Sequence, residues 1–174
     1  MENKNTLLKR LLASSLFVVA MLNVSSQCDI KNRIGIDGTM YYYLDPVKFY
    51  QTDSKQLFGG VVTDKESYFL TLIPTPFPDK KLAEKLKDSL LVKLSNNKQY
   101  KLEHFYSRYN KEDSTFRMMF LIDKNSLTDF RNHDVEEVAI NMGQEEGLRV
   151  YTFRLHKSAI RENLACFIKK KETE

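Results

Sequence analysis

Leu90-Leu-Val-Lys-Leu-Ser-Asn-Asn-Lys-Gln-Tyr-Lys-Leu-Glu-His-Phe-Tyr106 is the strongest local signal in this chain. Leu90, Val92 and Leu94 recur at every second position, as do Tyr100, Leu102, His104 and Tyr106. Successive side chains of a strand point to opposite faces, so a period of two marks a strand with one buried face. Between the two runs stands Ser95-Asn96-Asn97-Lys98. Asn tolerates the left-handed backbone that a tight hairpin turn demands. After a second turn at Asn110-Lys111-Glu112-Asp113, Phe116, Met118, Phe120 and Ile122 alternate again. The segment therefore predicts a three-stranded antiparallel meander, with Leu102, His104 and Tyr106 sharing one face.

Working outward, residues 57–63 and 67–73 read as another hairpin around Asp64-Lys65-Glu66. Apolar residues occupy both registers of its second arm, which suits a strand covered on both sides. Gly59-Gly60 suggests a bulge or a bend. Asp37-Gly38 is a tight-turn dipeptide between short strands at 34–36 and 40–44. Pro74, Pro76 and Pro78 mark a break, after which Leu82, Ala83 and Leu86 lie on one face of a helix over 80–87, capped by Asp79. Ser126 with Asp129 resembles a capping pattern for a short helix whose Leu127 and Phe130 point inward. Strands follow at 135–142 and 148–155, joined by a flexible turn. Ile160, Leu164, Phe167 and Ile168 then stripe a helix over 157–171, with Cys166 at the stripe's edge. The expected fold is α+β: a mainly antiparallel sheet of seven or eight strands with two or three helices packed on one face.

Leu91-Val-Lys-Leu-Ser-Asn-Asn-Lys-Gln-Tyr-Lys-Leu102, Phe120-Leu-Ile-Asp-Lys-Asn-Ser-Leu127 and Val135-Glu-Glu-Val-Ala-Ile140 resemble a pattern recurring in small exported bacterial proteins of unassigned function. The resemblance spans roughly residues 91–174. It implies export and an α+β class, and it brings no catalytic motif.

The N-terminus points to the same compartment. Lys4, Lys9 and Arg10 precede an uncharged run of 14 residues, 11–24, inside the roughly 7–15 of a signal-peptide core and short of the roughly 18 that span a bilayer. Val24-Ser25-Ser26 places cleavage between Ser26 and Gln27, giving a signal peptide over 1–26 and one globular domain over 27–174. Gln27 stands where a lipoprotein signal carries a small residue, although lipidation of Cys28 is the alternative. In an oxidising compartment Cys28 and Cys166 are the one pair available for a disulfide. The alternatives are two unpaired thiols, or Cys28 carrying lipid.

Composition narrows the function. With 42% hydrophobic residues and a net charge of +4 over 174 residues, the chain is not disordered. Without Lys4, Lys9, Arg10 and Glu2 the charge falls to about +2, and the one basic run, Lys169-Lys170-Lys171, meets Glu172 at once. That run reads as a solvated helix end, so nucleic acid is not an expected partner. No Walker-type loop, GxGxxG, GxSxG, HExxH or CxxC is present, and neither a cofactor nor a transmembrane segment after signal cleavage is expected. His133 with Asp134, Glu136 and Glu137 is the best metal candidate, read as a solvated strand entry. His104 is the best general-base candidate, with a nearby tyrosine as partner or, more weakly, with Cys166 as nucleophile. Tyr41, Tyr42 and Tyr43 must populate both faces of a strand and form a candidate interaction surface. Two readings follow. One is a non-catalytic binding or interaction module outside the cytoplasm, for an unknown protein or small ligand. The other is a small extracytoplasmic hydrolase using His104 or the His133/Asp134 region.

Overall fold

The meander forms as its alternation requires. In a computed structural model, which describes residues 28–35, 37–77, 88–110, 115–142 and 147–173, β6 (Leu90–Leu94), β7 (Gln99–Asn110) and β8 (Thr115–Ile122) lie side by side. Asn97 takes the left-handed conformation at the first turn, and Asn96 Oδ1 accepts from the Lys98 N–H at 3.0 Å. At twelve residues β7 serves two neighbours in turn. Its first part pairs with β6 as far as Leu102, and the rest, from Glu103 on, pairs with β8.

The remaining strands are β1 (Lys31–Ile34), β2 (Met40–Tyr43), β3 (Val47–Gln51), β4 (Gln56–Thr63), β5 (Tyr68–Thr75), β9 (Val135–Asn141) and β10 (Leu148–Thr152). The order is β1-β2-β4-β5-β8-β7-β6-β9-β10, with β3 also on β4, and every pairing is antiparallel. The described residues thus hold ten strands, more than the expected seven or eight. No strand was expected at β3. It is five residues long, follows Pro46, and has a register shift between Lys48 and Tyr50 that breaks its alternation.

Two helices are described, α1 (Lys124–Asn132) and α2 (Ala159–Thr173). The expected leader and its cleavage site, the helix over 80–87 and most of the turns at 110–113 and 143–147 lie outside the described residues. Asp123 directly follows β8 and caps α1 by accepting from the Ser126 N–H at 2.7 Å. The helix therefore starts earlier than a Ser126 cap would set it, and Asp129 instead meets Lys98 and Tyr100.

The expected packing of helices side by side on one sheet face is not clearly the arrangement: α1 and α2 pack against each other, and α2 against β4. Beyond β10 the chain returns to β3, where the N–H groups of Arg154 and Leu155 both donate to the Phe49 carbonyl at 2.9 and 3.1 Å. Phe153 stacks on Phe49 at 4.1 Å. The inner face and both helices share one buried cluster, to which α1 gives Phe130 and α2 gives Ile160, Leu164 and Phe167. A smaller cluster of Tyr41, Val62, Phe69 and Met119 covers the outer face, so β5 is buried on both sides as its apolar run predicts.

No bulge interrupts β4 at Gly59-Gly60, where the β4–β5 register is continuous. Gly59 is there for closeness: a Cβ would strike the Thr71 carbonyl and crowd the Phe49 ring. One edge of β4 changes partner at this point, from β3 up to Gly59 to β2 from Val62. In the gap, the Val61 N–H donates to Asn163 Oδ1 of α2 at 3.1 Å, satisfying a group that would otherwise be buried unpaired.

Cys28 and Cys166 form a disulfide, with Cα atoms 5.7 Å apart across 138 residues of sequence. It ties the start of β1 to α2.

Candidate functional site

Two backbone features build a groove on the outer face. The first is a bulge in β7. The ladder pairs His104 with Phe120 and Tyr106 with Met119, leaving Phe105 as an extra residue between them. One extra residue moves every later side chain to the opposite face. His104 thus turns toward the core, its ring edge-on to Phe120 at 5.9 Å, while Phe105 lies against Phe69 at 4.4 Å on the outer face. Tyr106 follows Phe105 outward onto the outer cluster. The expected sharing of one face by His104 and Tyr106 is therefore corrected, and no His104–Tyr106 acid–base pair exists.

The second feature is the arm made by β1 and β2. Only Tyr42 and Tyr43 pair with β4, opposite Thr63 and Val62. The hairpin then runs past the end of β4 and carries Tyr41 over Phe69, with ring centroids 6.4 Å apart. The turn holds at Asp37-Gly38, where Asp37 Oδ1 accepts from the Thr39 N–H at 3.1 Å and Oδ2 accepts from the Tyr41 hydroxyl at 3.2 Å. Gly35 leaves room for this arrangement: a Cβ would lie 2.5 Å from Asp37 Oδ1 and 2.6 Å from the Tyr41 ring, so a larger residue would have to displace those side chains.

Between arm and ladder lies a groove of about 710 Å³. Arg33, Ile34, Gly35, Asp37 and Tyr41 line the arm side. Phe105, Tyr106, Arg108, Arg117 and Met119 line the ladder side, with Asn110 and Thr115 at the hairpin end. Among the described residues, three guanidinium groups and one carboxylate line the groove. The Thr39 N–H holds the Asp37 carboxyl below its ordinary value, and burial, reinforced by Asp37, pushes the Tyr41 phenol up. Arg33 also lies over the Tyr43 ring, 5.4 Å from its centroid. Ile34 is 69% exposed and Phe105 49%, so the rim offers apolar surface as well as charge.

The three tyrosines take separate roles. Tyr41 is buried and forms groove wall; Tyr42 and Tyr43 are half-buried. Tyr42 instead lines a crevice of about 30 Å³, room for one water at most. Lys65 and Lys170 lie over its ring at 5.2 and 5.4 Å, and Lys171 Nζ donates to the Lys65 carbonyl at 3.0 Å. The lysine run thus does more than sit in solvent.

The other candidates are dispersed. Asp134 accepts from Arg161 Nε at 2.9 Å, Glu136 pairs with Lys93 at 3.2 Å, and Glu137 accepts from the Thr152 hydroxyl at 3.3 Å. His133 is the C-cap of α1. Among the described residues, no three His, Cys, Asp or Glu side chains converge as a metal would need, and no helix is long and apolar enough to cross a membrane. Cys166, bound in its disulfide, has no thiolate to offer as a nucleophile. His104 Nε2 does lie 2.5 Å from Ser107 Oγ, a contact the sequence reading missed because the bulge creates it. The groove was missed as well. Its one legible signal was register: counting two residues outward from Asn110 and Thr115 reaches Arg108 and Arg117. No protein-family model, no curated protein and no solved structure matches this chain.

Proposed function

We propose that this protein is a non-catalytic binding module acting outside the cytoplasm, with its ligand held between the β1–β2 arm and the β7–β8 ladder. The observation that carries the reading is the groove itself. Its volume of about 710 Å³ falls within the roughly 300–1,000 Å³ of small-molecule sites, and it joins aromatic walls to a few charged groups as such sites do. The leader pattern at residues 1–26 and the Cys28–Cys166 disulfide support export. Of the tyrosine triplet, Tyr41 meets the ligand, while Tyr42 and Tyr43 hold the arm to β4.

The chain has no Trp, so Phe105→Trp places a single indole, excited apart from the tyrosines, on the groove rim. Fractionated extracytoplasmic small molecules are titrated against it. A saturable change in emission that Ile34→Glu weakens supports the reading, because that substitution sets a charge on the apolar wall. A response indifferent to Ile34→Glu, or conversion of the bound molecule into product, contradicts it.

The second reading, a small hydrolase, rests on the His104–Ser107 contact. Both residues stand opposite core residues, Phe120 and Met118, on the face away from the groove. Hydrolysis of p-nitrophenyl acetate that disappears in Ser107→Ala favours this reading, and hydrolysis unchanged in that variant removes it.

A further inference from the structure

We infer that the Cys28–Cys166 disulfide is a redox-sensitive latch on the groove, closed when oxidised and released by a protein dithiol. The inference rests on the groove being the binding site and names what controls it. Strand β1 brings Arg33 and Ile34 to the arm side of the groove, yet it stands at the end of the sheet order, paired with β2. Its residues are mostly exposed, so apolar burial stabilises it little. A two-stranded hairpin on its own is marginal in water. The arm therefore depends on where its two strands are fastened. Tyr41 fastens β2 against Phe69, and Tyr42 and Tyr43 fasten it to β4. The chain entering β1 is fastened to α2, by the disulfide and by Ile30, which lines a crevice with Phe167. Helix α2 is a firm anchor, since Ile160, Leu164 and Phe167 lie in the main core. The exposed ion pair of Lys31 with Asp45 adds little.

Cys28 is exposed and Cys166 buried, which directs attack to the Cys28 sulfur. A thiolate of the dithiol forms a mixed disulfide with Cys28, and Cys166 leaves as a thiolate that takes up a proton. The second sulfur of the dithiol then gives up its proton and closes the reductant's own disulfide. Cys28 leaves in that step and is protonated in turn. Strand β1 is then free to part from β2, and the groove loses the wall that Arg33 and Ile34 make.

The test is amide hydrogen exchange of the full-length protein, oxidised and after reduction by dithiothreitol, below the melting range of both. The fluorescent probe anilinonaphthalene sulfonate is titrated into each state. On reduction, exchange in β1 is expected to accelerate on the order of 10- to 100-fold, with β7 and β8 unchanged and the probe bound more weakly. Cys28→Ser is expected to behave as the reduced protein does, with no reductant present. Acceleration throughout the sheet overturns the latch, because the disulfide then braces the whole fold. Unchanged exchange in β1, or probe affinity indifferent to reduction, also overturns it and leaves the groove reading standing. Failure of the probe to bind the oxidised protein overturns this inference together with the proposed function.

Discussion

Arg108 of β7 and Arg117 of β8 are direct cross-strand partners, two positive side chains facing the same groove. Like charges directly opposite each other across a ladder oppose its pairing. Replacing Arg108 with Thr is therefore expected to stabilise the unliganded protein by a few tenths to about 1 kcal/mol. Screening shrinks the gain as salt is added. Urea unfolding at low and high ionic strength measures it, and a variant less stable than the parent contradicts the account.

The disulfide closes a loop across 138 residues. In the chain-entropy model a loop of that size contributes about 5 kcal/mol, and measured values often fall below the model. Cys166→Ser, or reduction of the parent, should lower the melting temperature. The same change should weaken probe binding, since Cys28 anchors the arm that carries Arg33 and Tyr41. Thermal unfolding with and without reductant, followed by a titration below the melting range, checks both expectations.

Asn163 caps the Val61 N–H where β4 changes partner. Asn163→Ala leaves that donor with nothing to replace its acceptor and should cost about 1–3 kcal/mol. Asn163→Asp keeps an acceptor oxygen in place and should cost less. Equal losses from both variants, measured by denaturant unfolding, would remove the hydrogen bond as the cause.

Asp129 accepts from Lys98 Nζ at 2.8 Å and from the Tyr100 hydroxyl. These bonds, Lys98 first, hold its carboxyl below the ordinary value, and Asp129 in turn holds the Lys98 ammonium and the Tyr100 phenol above theirs. A depressed carboxyl contributes stability above its unfolded-state value and loses it as pH falls through the depressed one. The raised Lys98 contributes below its ordinary value and loses it as pH rises through the raised one. Asp129→Asn should therefore cost stability at neutral pH, and the difference from the parent should close in acid. NMR titration of the Asp129 carboxyl reads the shift directly; a midpoint at or above the ordinary value contradicts it.

Much of the sheet is legible in the sequence because period and turn chemistry agree there. Leu90, Val92 and Leu94 before Asn96-Asn97, and Phe116 to Ile122 after the second turn, leave little choice of element or face. The mixed apolar run of β5 likewise announces a strand covered on both sides. Legibility fails where one residue breaks the period. Phe49 does so in β3, which hides a strand behind Pro46. Phe105 does so in β7, and alternation then sets Tyr106 on the wrong face. The groove depends on that bulge and on an arm whose residues lie some seventy positions earlier in the chain. Local pattern carries no information about such a meeting. Cys28 and Cys166 were legible for a different reason: two cysteines leave one intramolecular pairing.

The most direct test of the groove is a methyl-labelled NMR spectrum of the oxidised protein, recorded as anilinonaphthalene sulfonate is added. Ile34 and Met119 line the groove, Ile160 and Met142 lie in the main core, and Leu91, Leu148 and Val150 are exposed elsewhere. The account predicts saturable shifts at Ile34 and Met119, with the other five unmoved. Shifts centred on Leu91, Leu148 and Val150 instead, or none that saturate, would contradict it.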